Sequence, residues 1–168
     1  MNIKHTWNSI DKINFILIFI LGLLGVILSF TVTKNFLFIN RHSFFFILGL
    51  VVILFLSQQS DRNIRRIALF GFIILTFLLV SLYFFEFQIK GSKRWLRLYG
   101  FSFQPSEVIK PFFIILSSWG IAQSIKGKKY FLTITFISFI ILVGLILLQP
   151  DLGMTILIAS TFFCQLFI

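Results

Sequence analysis

Glu107 and Lys110 are the pair in this chain best spaced for chemistry. Three residues apart, they share one face of a helix and can pair. They stand where a polar stretch gives way to an apolar one. An ionisable residue at a water-to-lipid boundary is costly, which makes each a functional candidate by default. The competing reading is an ion pair snorkelling at a helix end. Spacing does not separate the two. Pro111 follows at once. It lacks an N–H, and its ring clashes with the carbonyl of Glu107, four residues back. The expectation is a helix that starts near Lys110 with Pro111 at its first position, or one that kinks there. Pro105 fixes a second φ, so 104–111 reads as a rigid, non-ideal entry.

Just upstream, Lys93, Arg94 and Arg97 are interleaved with Trp95 and Tyr99. An arginine fork can grip a phosphate with two parallel hydrogen bonds. Trp95 can stack on a sugar ring or simply anchor in the membrane interface. Asp151 sits in a short turn, 149–153, between two apolar blocks. It reads either as the N-cap of the next helix, with Pro150 ending the previous one, or as a carboxylate facing a site. In the second role it would serve as a general base or a cation ligand. His42 reads as an interfacial residue rather than a ligand. The chain has no Cys/His cluster with metal spacing, no Gly-rich phosphate loop and no Ser-His-Asp set. Asp11, Asp61 and Glu86 lie in flanks and look like solvated charges. The single Cys164 lies in an apolar block and cannot form an internal disulfide.

The elements that must position these residues are helices in a membrane. Of the 168 residues, 58% are hydrophobic, above the roughly 45–50% of soluble domains. They come in long blocks, near 15–32, 43–58, 67–85, 108–125, 130–148 and 152–168, each a candidate span of a single transmembrane domain. The second is the weakest. Its uncharged core, 44–56, makes only about 20 Å of helix, short of a hydrocarbon layer about 30 Å thick. Gly22 and Gly25 in the first block suit a close helix approach or are merely tolerated in lipid. The sixth block reaches no polar flank, so the sequence reads as cut off within a larger protein. The fold class expected is all-α and polytopic.

The net charge of +10 comes from fifteen bases and five acids. The bases sit between apolar blocks and form no continuous soluble surface. That argues against nucleic acid as a partner and for anchoring against anionic head groups. With the N-terminus cytoplasmic, the inner segments hold Lys4, Lys12, Arg62, Arg65, Arg66, Lys126, Lys128 and Lys129. The outer ones hold Lys34, Arg41, Lys90, Lys93, Arg94 and Arg97. The inner excess fits the positive-inside rule only narrowly, because the outer bases concentrate at 90–97. A basic outer loop suits an anionic ligand such as a lipid pyrophosphate.

Three motifs make the sequence resemble a known family. Lys90-Gly91-Ser92-Lys93-Arg94-Trp95 comes first. Phe101-Ser102-Phe103-Gln104-Pro105-Ser106-Glu107 with Lys110-Pro111 follows, and Gln149-Pro150-Asp151-Leu152-Gly153 comes last. In this order and spacing they resemble the FtsW/RodA/SpoVE (SEDS) family. The Lys110-Pro111 pair and Trp119 look more like its cell-division branch than its elongation branch. The resemblance covers essentially the whole chain but only the first half or so of a ten-helix fold.

It implies a multi-pass enzyme of the bacterial cytoplasmic membrane, at the division septum. Its activity would be that of a peptidoglycan glycosyltransferase that polymerises lipid II on the outer face. The partners implied are lipid II, a class B penicillin-binding transpeptidase, other division membrane proteins and the bilayer. By motif match, Glu107, Lys110 and Asp151 correspond to catalytic-cavity residues. Lys93, Arg94, Trp95, Arg97, Gln104 and Ser106 correspond to substrate-binding positions. No cofactor is firm, and a divalent cation is left open. The family's principal catalytic Asp lies in a later outer loop, so these residues alone are expected not to polymerise lipid II. A lipid II flippase and a non-catalytic division scaffold remain as alternatives.

Overall fold

A computed structural model describes residues 11–32, 36–84, 96–98 and 101–167. Among these the chain is helical apart from one short hairpin. The helices are α1 (Lys12–Val32), α2 (Phe36–Ser57), α3 (Asp61–Phe84), α4 (Pro105–Ile125), α5 (Tyr130–Leu147) and α6 (Leu152–Phe167). The strands are β1 (Leu96–Leu98) and β2 (Phe101–Phe103). Five helices are long and apolar enough to cross a membrane, and α6 is a shorter apolar one. This is an all-α, multi-pass membrane architecture, since only helices and closed barrels satisfy every backbone group in lipid.

Most helices begin before the apolar blocks do. α2 starts at Phe36 and carries Arg41 and His42 within it, which supplies the length its uncharged core lacks. α3 starts at Asp61, with its Asp in the first turn, where the helix dipole favours an acid. Ser60 lies just before it and accepts the Asn63 N–H on its hydroxyl at 3.4 Å, as an N-cap does.

The chain divides into two compact units, Met1–Ile64 and Arg65–Ile168. In the first, α1 packs on α2. Gly22 receives the Phe46 ring so closely that a β-carbon there would overlap it, and Gly25 faces His42. Those glycines therefore serve a close approach of the two helices.

In the second unit α4 packs on both α5 and α6, and α5 packs on α6. The buried core is mostly Leu and Ile, drawn from α3 to α6, with an aromatic cluster within it. Phe113 of α4, Phe139 of α5 and Phe162 of α6 meet, with the Phe139 and Phe162 rings stacked at 4.4 Å. Gly120 of α4 faces Thr135 of α5, and a methyl group at Gly120 would overlap that hydroxyl. Gln165 of α6 clasps α4. Its amide donates to the Ser118 hydroxyl at 2.8 Å and to the Ile114 carbonyl at 3.2 Å, and its oxygen accepts from buried Ser117 at 2.7 Å. Such polar bonds take the place of the hydrophobic drive that lipid cannot supply between helices.

α4 ends in a Schellman motif. The Lys128 N–H reaches the Gln123 carbonyl at 3.2 Å, and the Gly127 N–H reaches the Ser124 carbonyl at 3.0 Å. Gly127 takes φ +89, the left-handed conformation this motif asks of glycine.

Candidate functional site

The site is built at the first turns of α4 and α6. Gln104 precedes α4 in extended conformation, and Pro105 takes the first helical positions. A proline there forfeits only an N–H that the helix would not use. Pro105, not Pro111, therefore opens the helix, and Pro111 lies inside it. Because Pro111 brings no N–H, the carbonyl of Glu107 receives no helical hydrogen bond from it. The Gln104 side chain donates to the Ser106 hydroxyl at 3.0 Å, and Ser106 is fully buried. These two neighbours brace the helix entry from within.

Glu107 and Lys110 pair as their spacing allows. The Lys110 ammonium donates to Glu107 Oε2 at 2.6 Å. The Lys110 side chain is 17% exposed, whereas that of Glu107 is 52% exposed. The carboxylate thus faces outward while the ammonium is tucked in. Lys110 has a second contact, to the thioether sulfur of Met154 in α6 at 3.4 Å. Sulfur is a weak acceptor, but this one is buried and lies beside a cation. Met154 carries no signal in the sequence. The usable hint was local: it stands three residues after Asp151, at the third position of a helix beginning with Leu152. Its meeting with Lys110 is long-range and could not be read from spacing.

Asp151 acts as the N-cap of α6. Its Oδ1 accepts the Met154 N–H at 3.3 Å, and its carbonyl accepts the Thr155 N–H at 3.1 Å and the Thr155 hydroxyl at 2.8 Å. The capping role open to Asp151 is therefore met in the structure, and its capping partner is the residue that touches Lys110. Glu107, Lys110, Met154 and Asp151 form one continuous run of contacts linking α4 to α6. Gln149, in the same turn, is buried.

The basic segment contributes less. Lys93, Arg94 and Trp95 lie outside the described residues. Arg97 lies in β1, its backbone paired with Ser102 of β2. The hairpin, unforeseen in a stretch read as loop, follows a period-two pattern. Leu96, Leu98, Phe101 and Phe103 alternate with Arg97 and Ser102, and Leu96 pairs with Phe103. β2 leads through Gln104 directly into α4. Among the described residues no three His, Cys, Asp or Glu side chains gather as a metal site would require.

The profile of the FtsW/RodA/SpoVE family, described as cell cycle protein, matches residues 7–168. The chain belongs to the FtsW/RodA/SpoVE family. It is 37% identical over 150 residues to a protein of Caulobacter vibrioides named probable peptidoglycan glycosyltransferase FtsW. That match covers 83% of this chain and 38% of the relative. A protein of the same name from Borreliella burgdorferi is 32% identical over 145 residues, covering 84% of this chain and 39% of the relative. A putative peptidoglycan glycosyltransferase FtsW of Mesostigma viride is 36% identical over 120 residues, which is 69% of this chain and 28% of that protein. The chain thus spans about two fifths of the length of the first two relatives. No solved structure matches it. Membership of the FtsW/RodA/SpoVE family agrees with the motifs at 90–111 and 149–153, which hold Glu107, Lys110 and Asp151 of the contact run just described, while Met154 follows directly after the second.

Proposed function

We propose that this chain carries the lipid-diphosphate-handling part of a peptidoglycan glycosyltransferase that polymerises lipid II at the division septum. It would lie in the cytoplasmic membrane with its N-terminus inside. Both helix entries, of α4 and of α6, then open to the outer face. The single observation that supports this most is the seat of Lys110, held between the Glu107 carboxylate and the Met154 sulfur.

In the reaction, the 4-hydroxyl of an incoming GlcNAc attacks the anomeric carbon of the growing strand. A carbon–oxygen bond forms there, and the bond to undecaprenyl diphosphate breaks. The hydroxyl proton passes to a carboxylate. Charge develops on the departing diphosphate, so a cation held in advance near it stabilises the transition state more than the ground state. Lys110 suits that task, with Arg94 and Arg97 as further phosphate ligands. When Lys110 turns to the diphosphate, the exposed Glu107 carboxylate is released. Glu107 suits proton transfer better than Asp151, whose oxygen is engaged in the α6 cap. A class B penicillin-binding transpeptidase would receive the glycan.

The test uses the protein as its gene encodes it, purified with its transpeptidase and supplied with labelled lipid II. Wild type is expected to make glycan chains. Lys110→Ala is expected to lower the rate by about 10²–10³, the cost of removing one preorganised electrostatic partner, with membrane insertion unchanged. Movement of lipid II between leaflets without glycan product would replace this reading with that of a flippase. Full polymerisation by Lys110→Ala would remove the site assignment.

A further inference from the structure

The second unit holds a cavity far along α4 from Glu107 and Lys110. It measures about 150 Å³ and lies between α3, α4 and α5. Leu69, Phe72, Trp119, Phe131, Ile134 and Ser138 line it. Leu69 and Ile134 are 47% and 56% exposed, so one side is open within the apolar band. Thr135 and Ser138 also reach it, but their hydroxyls donate to carbonyls of their own helix. The lining therefore suits hydrocarbon rather than a polar head group or a strand of backbone.

Toward the α4–α5 turn the chemistry changes. Trp119 stands seven residues before Lys126, roughly 10 Å along the helix, just within the hydrocarbon layer. Beyond it Lys126, Lys128 and Lys129 are all exposed in the turn fixed by Gly127. Arg65 stands one turn before Leu69, on the α3 face that continues to Phe72. From residue 108 to 150 the sequence contains no Asp or Glu to offset these bases. Trp119 and Phe131 meet edge to face at 4.8 Å, and Tyr130 packs on Phe131 at 4.3 Å, an aromatic collar at the depth where such rings favour the interface.

We propose that this cavity is a binding site for an anionic diacyl phospholipid. One acyl chain enters the slot against Trp119 and Phe131, and the phosphate is held by Lys126, Lys128, Lys129 and Arg65. The base count that orients the chain makes this the cytoplasmic leaflet. General attraction of basic flanks to anionic membranes needs no cavity. Here an apolar cavity with an open side lies roughly 10 Å along α4 from a rigid basic turn, a span one phospholipid covers, so head-group charge and chain burial act together. The site is independent of Lys110 and of the proposed glycosyl transfer.

Native mass spectrometry of the protein as its gene encodes it, in detergent with phosphatidylglycerol and phosphatidylethanolamine of matched chains, tests this. The expected result is one retained phosphatidylglycerol, favoured about tenfold over phosphatidylethanolamine. Ser138→Phe, which fills the slot, is expected to abolish the adduct, while Ser138→Ala keeps it. Lys128→Gln is expected to weaken retention about fivefold. Ile134→Trp, from the rim, serves if Ser138→Phe does not fold. Equal retention of both lipids would overturn the proposal, as would no adduct at all. Loss with Lys128→Gln but not with either filling variant would also overturn it, reducing the effect to head-group attraction.

Discussion

Lys110 gains its character from two neighbours of unlike kind. Glu107 supplies charge from the same helix, and Met154 supplies a soft acceptor from another. If Met154 only packed, Met154→Leu would be nearly neutral and Met154→Gln would suffer from a buried amide. If its sulfur positions the ammonium, the order reverses. We expect Met154→Leu to lose about fivefold in the proposed polymerisation rate and Met154→Gln to retain more, in line with about 1 kcal/mol for a hydrogen bond to a weak sulfur acceptor. Rates of both variants, with lipid II at saturating and limiting levels, decide between these orders. Asp151 allows a similar separation. Asp151→Asn keeps a capping oxygen and loses the charge, whereas Asp151→Ala loses both. Asp151→Ala is expected to lower stability by about 1 kcal/mol and Asp151→Asn by little, measured by thermal unfolding in detergent. Activity lost in Asp151→Asn at full stability would give the carboxylate a role beyond the cap.

At the scale of the element, α4 matters most because its two ends do different work. Its start is set by Pro105 and braced by Gln104 and Ser106. Its end is set by Gly127, whose φ of +89 admits the Schellman bonds. A β-carbon there finds open space, so any cost is conformational rather than steric. Gly127→Ala is expected to lower stability by about 1 kcal/mol and Gly127→Asn by less. Thermal unfolding of the two variants checks the order. Pro111 inside the same helix was expected to mark its start or a kink. Proline tolerates the first helical positions wherever they fall, and the chain had two candidates. Pro105 took those positions because β2 ends at Phe103 and leaves the backbone extended at Gln104.

In the second unit as a whole, three helices meet around Phe113, Phe139 and Phe162, and the polar clasp at Gln165 fixes α6 against α4. That packing brings the starts of α4 and α6 to the same end. Without it Lys110 and Met154 would not meet. The approach of α5 depends on Gly120. Gly120→Ala is expected to cost about 1–3 kcal/mol through overlap with the Thr135 hydroxyl. Thr135→Ala in the same chain is expected to recover most of that loss, and a double-mutant cycle by thermal unfolding measures the coupling. Additive losses would mean the helices are not in contact there.

The membrane class, the all-α architecture and the family motifs were legible in the residues themselves. Lipid demands long apolar helices, and that demand writes itself into composition and block length. The Glu107–Lys110 pair was legible for a similar reason, since i and i+3 meet on any helix. Other features were open until the helices packed. Asp151 reads as a cap or as a carboxylate facing a site, with spacing favouring the cap, and the start of α6 at Leu152 makes it one. The pairing of Leu96–Leu98 with Phe101–Phe103 was hidden because four apolar residues in two three-residue strands carry a weak signal. Met154 and Gln165 were silent, being ordinary residues in an apolar helix whose partners lie far away in sequence. Local spacing fixes what a helix can hold on one face. Which faces meet depends on contacts such as Phe139 on Phe162 and Thr135 on Gly120, and those exist only in the folded bundle.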